Sequence, residues 1–237
     1  MTEYLETLEL TDKLEIGITQ SDLWEDANPG SLDYGCPFNI TYLKRSRYTL
    51  GNTPVESPTQ HLLELVGTDY EQEYYYGTEE HIVEKLNDRF DRDYIWQPVY
   101  AVIHGGIALR TGSPIPNPYY GFDSGQSGII YISKKEALNI WGKKRASRKF
   151  IEEIKRLQGD VIKGLCQYIN GDVYEADVIC KDCGERLEWL GTYWGFGDWK
   201  TNGLLDDAEY YKTHPLICLC EEDLDTPVSY LKNGEDK

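Results

Sequence analysis

The order of apolar and polar positions reads as short strands interleaved with helices. Lys13 to Thr19 alternates polar and apolar, the period-two signature of a strand with one buried face. Phe38 to Leu50 reads as a second β segment whose latter half turns basic at Lys44, Arg45 and Arg47, and Gly51-Asn52-Thr53-Pro54 ends it. Ser57-Pro58 fits an N-cap followed by proline at the first helical position, opening a short helix through Val66. Thr78 to Phe90 reads as another helix, with acids at the end where the helix dipole favours them. Val99 to Leu109 is apolar enough for a buried strand. The next stretch carries Gly112, Pro114, Pro116, Pro118, Gly121, Gly125 and Gly128 and reads as a loop, after which Ile129 to Ile132 forms a short buried strand.

The second half follows the same logic. Ser133 caps a helix from Lys134 to about Trp141, which Gly142 ends. Ser147 caps a longer helix to about Ile169, whose Phe150, Ile151, Ile154, Leu157, Val161, Ile162 and Leu165 recur at helical spacing. Asp172 to Ile179 alternates as a strand, Lys181 to Gly184 is a turn, and Leu187 to Phe196 is the return strand of a hairpin. The last forty residues are mixed and carry no clear periodicity. These elements predict an α+β fold, a mixed and largely antiparallel sheet with several helices packed on it. Neither an interdomain linker nor an internal repeat is visible, so residues 1–237 read as a single domain, with a C-terminal extension from about residue 198.

Composition adds bounds. Hydrophobic residues make up 40% and aromatics 13%, enough for a core and against global disorder. No apolar run reaches the roughly 18 residues of a membrane span, and the acidic start lacks the pattern of a secretory signal. A cytoplasmic protein without a membrane partner is therefore expected. Six cysteines in this length are too sparse for a disulfide scaffold and point to free thiols or a metal site.

Charge is unevenly spread. Residues 1–30 hold eight acids and one base, residues 171–237 sixteen acids and six bases, and residues 134–163 ten bases against four acids. The net charge of −17 argues against direct binding to a nucleic-acid backbone and favours a partner with a basic surface, although it also serves solubility alone.

Several motifs occur in a fixed order: Trp24 to Asp33, Arg47-Tyr48-Thr49-Leu50-Gly51, His104-Gly105-Gly106, Phe122-Asp123-Ser124-Gly125-Gln126-Ser127-Gly128-Ile129-Ile130-Tyr131, Gln167-Tyr168-Ile169-Asn170-Gly171-Asp172-Val173-Tyr174, Cys183-Gly184-Glu185 and Trp194-Gly195-Phe196. Over roughly residues 22–197 this order resembles an uncharacterised family of proteins encoded by phages, plasmids and integrated elements. Its members read R-Y-x-L-G, H-S-G, W-D-S-G-Q-x-G-x-I-Y-V, Q-Y-x-x-G-D-V-Y and C-W-G-F-Y-G. Here Phe122 stands where tryptophan is usual, Gly105 where serine is usual, and Tyr193 where cysteine is usual. The resemblance implies a mobile-element accessory gene, acting in the host cytoplasm if phage-encoded, and no particular chemistry.

Three constellations could carry chemistry. Asp123-Ser124-Gly125-Gln126-Ser127-Gly128 is either a tight turn bonding its own backbone or a segment whose amides and polar side chains hold a ligand. It is not a phosphate-binding P-loop, since no Gly-Lys-Ser/Thr follows, nor a G-x-S-x-G nucleophile elbow. His104 is either an acid or base oriented by Asp123 or a structural histidine, and Arg47 with Tyr48 could hold an anion or a ring. Cys180 and Cys183 with Cys218 and Cys220 could bind zinc, the alternative being buried free thiols. The leading expectation is an accessory protein, more a binder than an enzyme, that inhibits a host macromolecular target of anti-restriction or anti-CRISPR type. It would do so through an acidic surface imitating nucleic acid. The alternative is a small-molecule or nucleotide-binding protein or enzyme using His104, Asp123, Ser124 and Gln126, with Arg47 and Tyr48.

Overall fold

The computed structural model describes residues 3–22, 27–33, 35–44, 46–67, 90–116 and 124–221. The fold is α+β, as the sequence predicts, but its strands form two sheets where one was expected. Contacts group the chain into two compact units: residues 1–22 with 173–237, and residues 23–172. We call these the terminal unit and the central unit. No helix among the described residues is long and apolar enough to cross a membrane.

The terminal unit holds an antiparallel sheet ordered β1-β2-β8-β9, where β1 is Glu6–Glu9, β2 Leu14–Gln20, β8 Val173–Cys180 and β9 Arg186–Trp194. Alternation puts Leu14, Ile16 and Ile18 of β2 on one face, where they join Ala176 and Val178 of β8. Helix α4, Leu204–Thr213, buries Leu204 and Ala208 against that face together with Trp199 and Tyr193. Within the region expected as an extension from residue 198, Trp199, Leu204 and Ala208 join this core, and Cys218 is buried. Tyr193 OH donates to Asp207 Oδ2 at 2.8 Å, and Trp199 Nε1 donates to Glu6 Oε2 at 2.9 Å.

The central unit holds five strands ordered β4-β3-β7-β5-β6: β3 is Asn39–Leu43, β4 Thr53–Val55, β5 Tyr94–Ile103, β6 Ile107–Thr111 and β7 Ser124–Ser133. All pair antiparallel except β3 with β4. From Gly128 to Ile132, strand β7 is buried on both faces. Ile130 and Ile132 pack with Ile40, Ile95 and Val99 under helices α2 (Lys134–Ile140) and α3 (Arg148–Ile169). Ile129 and Tyr131 pack on the opposite face with Phe90 and with Leu62 and Leu65 of α1 (Pro58–Leu65). Each of these helices starts as its serine cap predicts: Ser57, Ser133 and Ser147 accept from the N–H groups of Gln60, Glu136 and Phe150. The helix expected over residues 78–90 lies outside the described residues except for Phe90.

Two readings of the central unit change. The segment Val99 to Leu109 is a hairpin, with His104, Gly105 and Gly106 turning β5 into β6. The β segment expected from Phe38 to Leu50 ends at Leu43, because β4 lies parallel to β3 and the chain must cross over to reach it. Asn52 pins that crossover. Its Oδ1 accepts from Ile40 N–H at 2.8 Å, and its Nδ2 donates to Gly30 O at 2.7 Å and Phe38 O at 2.9 Å.

Candidate functional site

Strand β7 begins within the glycine- and serine-rich segment that the sequence reads as a loop or turn. Ser124, Gly125 and Gln126 pair with Val102, Ala101 and Tyr100, and Gly128 pairs with Val99, so Ser127 is the extra residue of a β-bulge. Ser127 Oγ donates to Val99 O at 3.2 Å, holding the bulge. Just past it, β7 approaches β3 so closely that a Cβ on Gly128 would lie 1.9 Å from Thr41 O, and only glycine fits. Thr41 Oγ1 completes the junction by accepting from Ile129 N–H at 2.9 Å.

The bulge and the crossover after β3 flank a cleft of about 590 Å³. Leu43, Leu50, Ala101 and Ile103 give it apolar walls, and Arg47, Tyr48, Ser124, Gly125, Gln126 and Ser127 line it as well. Ser46 Oγ accepts from Tyr48 N–H at 3.2 Å, and the Arg47 guanidinium carbon lies 5.6 Å from the centre of the Tyr48 ring. Gln126 Nε2 donates to Gly128 O at 3.3 Å. Ser124 Oγ is buried and has no hydrogen-bond partner among the described residues. A Cβ on Gly125 would meet no atom within 4 Å, so that position faces open space. No acidic side chain lines the cleft among the described residues.

Of the residues singled out in the sequence, the structure brings Arg47, Tyr48, Ser124 and Gln126 together. His104 sits exposed in the β5–β6 turn and is not among the cleft-lining residues, and Asp123 lies outside the described residues. The apolar walls Leu43, Leu50, Ala101 and Ile103 were not predicted, because nothing in a sequence tells which apolar side chains will line a concave surface.

The four cysteines converge in the terminal unit. Cys180 ends β8, Cys183 lies in the turn to β9, and Cys218 and Cys220 lie after α4; all four Sγ atoms fall within 4.8 Å of one another. The Cys180–Cys220 and Cys183–Cys218 sulfur separations are 3.6 and 3.4 Å. The turn is closed by Gly184 N–H donating to Cys180 O at 2.8 Å, with Gly184 at φ +74°, a conformation glycine adopts freely. Burial opposes the Cys180 thiolate, but the N–H groups of Cys183 and Asp182 and the neighbouring thiols bring its pKa below the ordinary value. The Cys220 N–H favours the Cys218 thiolate, yet burial and bonds to Cys183 and Glu185 push that thiol to about 11. Four sulfurs so placed could hold one tetrahedral ion.

Charge follows the division into units. The terminal unit carries 21 acidic and 7 basic residues, a net −14, and the central unit 20 acidic and 17 basic, a net −3. On α3 two bases of the stretch pair with acids of the same helix, Arg148 with Glu152 at 3.0 Å and Arg156 with Asp160 at 2.8 Å. In the terminal unit Lys181 pairs with Glu9, Arg186 with Asp177 and Lys212 with Glu209. Compared with protein families, curated proteins and solved structures, the chain matches none of them.

Proposed function

We propose that the central unit binds a small ligand in the cleft between the β7 bulge and the crossover after β3. The observation that carries this reading is the convergence of Arg47, Tyr48 and Gln126 on a cleft of about 590 Å³ whose walls, Leu43, Leu50, Ala101 and Ile103, are apolar. These residues define the ligand. Apolar walls and the Tyr48 ring suit a flat or apolar body, the Arg47 guanidinium suits an anionic group, and Gln126 offers an amide carbonyl. A nucleotide fits this description, and no acid lines the cleft among the described residues.

The test is a thermal-shift series with nucleoside mono-, di- and triphosphates, using inorganic phosphate as the control for charge alone. Ligand at 100 times its dissociation constant stabilises the bound unit by about 2.7 kcal/mol. At about 2–4 °C per kcal/mol for a unit of this size, the melting point rises by roughly 5–10 °C. Gly125→Val keeps the strand, since its side chain enters open space, and removes the shift by filling the cleft. Failure of every nucleotide to raise the melting point counts against a nucleotide ligand, and a shift that survives Gly125→Val places the ligand elsewhere.

A second reading rests on the net −14 of the terminal unit, which its seven bases leave largely unneutralised. It supports a partner with a basic surface, as for an accessory protein blocking the nucleic-acid channel of a host nuclease. Affinity of that origin falls steeply with added salt; affinity for a candidate nuclease that stays level from low to high salt contradicts it.

A further inference from the structure

We propose that Cys180, Cys183, Cys218 and Cys220 hold one zinc ion in a closed tetrathiolate site that fastens the segment after α4 to the β8–β9 turn. Zinc–sulfur bonds of about 2.3 Å in a tetrahedron put the sulfurs about 3.8 Å apart. The 3.4 and 3.6 Å separations, with all four atoms inside 4.8 Å, need only small adjustments to reach that geometry. Disulfides are a poorer description. The sulfurs are well beyond the bonded distance of about 2.05 Å, and two disulfides require two close pairs, not four mutually close atoms.

A second observation is independent of these distances. Ile217 and Leu219 are 78% and 70% exposed while Cys218 between them is 1% exposed. An apolar segment that anchored itself by burial would turn its isoleucine and leucine inward. Here the larger apolar side chains face out and the thiol faces in, so the anchor is sulfur chemistry.

Loading replaces four thiol protons, released to solvent, with one divalent ion, so the centre carries a net −2. The proton that Cys218 shares with Glu185 Oε2 at 3.4 Å is among those lost. With all four positions taken by protein sulfur, no site remains for a substrate, and the ion is structural. Soft thiolates in a tetrahedron suit zinc or iron, and the two differ in colour. This site lies in the terminal unit and stands or falls apart from the ligand cleft.

The test is elemental analysis of the full chain, purified under reducing conditions from cells grown with added zinc and never exposed to chelator. About one zinc per chain is expected, released in step with mercurial titration of the thiols. Cobalt substitution gives the intense red-region bands and near-ultraviolet sulfur-to-metal charge transfer of a tetrahedral tetrathiolate. Cys183→Ser and Cys220→Ser, both at exposed positions, weaken zinc retention at least about tenfold in competition with a chromogenic chelator. Less than a tenth of a zinc per wild-type chain overturns the proposal. So does iron in its place, or a cobalt spectrum without sulfur charge transfer.

Discussion

Replacing Asn52 with alanine removes one side chain that four separate backbone and side-chain groups use. Ile40 N–H and Thr53 Oγ1 donate to its carbonyl oxygen, and its amide nitrogen serves Gly30 O and Phe38 O. Ile40 is fully buried, so its N–H cannot turn to water. That orphaned donor alone costs about 1–3 kcal/mol. The two carbonyls each lose a hydrogen bond worth about 0.5–1.5 kcal/mol. The sum, reduced because the loop relaxes, is about 2–4 kcal/mol, large against the whole stability of a domain. Asn52→Asp separates the contributions: it keeps an acceptor for Ile40 but sets a carboxylate against two carbonyls. Urea unfolding followed by circular dichroism reads the total for the central unit, and amide hydrogen exchange reads Ile40 directly. Protection at Ile40 should drop in Asn52→Ala and persist in Asn52→Asp, with both variants destabilised. If both unfold within about 0.5 kcal/mol of the parent, Asn52 does not hold the crossover, and the wall carrying Arg47 and Tyr48 is set by something else.

Further outcomes follow from other positions. Gly128→Ala destabilises the central unit by about 1–3 kcal/mol or more by driving a methyl group into Thr41 O, whereas Gly125→Val leaves the unfolding midpoint nearly unchanged; urea titration compares them. Burial pushes the Tyr131 phenol up to about 12, with smaller contributions from Tyr94 and Glu136. Its folded pKa exceeds the unfolded value near 10, so stability is full below pH 10 and declines as pH rises toward 12; Tyr131→Phe flattens that limb of the pH–stability curve. Burial lowers the His61 pKa, only partly offset by Glu64, so stability is full above about pH 6.5 and falls as pH drops below it, a slope that His61→Gln removes.

Helices were legible where local chemistry decides them. Serine caps at 57, 133 and 147 and the apolar stripe of α3 needed no tertiary information. Within that stripe Gln158 carried no signal. It is fully buried and donates to Ile95 O at 2.9 Å, a strand carbonyl that only the folded sheet places there. Helix α4 was missed because its N-cap is Gly203, with no side-chain bond, and its buried Leu204 and Ala208 are too few to stand out. Residues 124–128 read as a loop because glycine, serine and glutamine have little strand preference; pairing with β5 makes them a strand. Alternation shows that a strand has two faces but not which sheet it joins, so one sheet was expected where two form. The cysteine pairs were legible as C-x-x-C and C-x-C, and the fold supplied their convergence. The cleft was half legible, since its polar residues were named from motifs while its walls come from strands far apart in sequence.

Ligand binding in the cleft is tested most directly by mapping amide chemical shifts of the isotope-labelled chain as a nucleotide is titrated. The account predicts saturable shifts centred on Arg47, Tyr48 and Ser124 to Ser127, which Gly125→Val abolishes. Shifts that cluster elsewhere, or a spectrum unmoved by any of the nucleotides, contradict it.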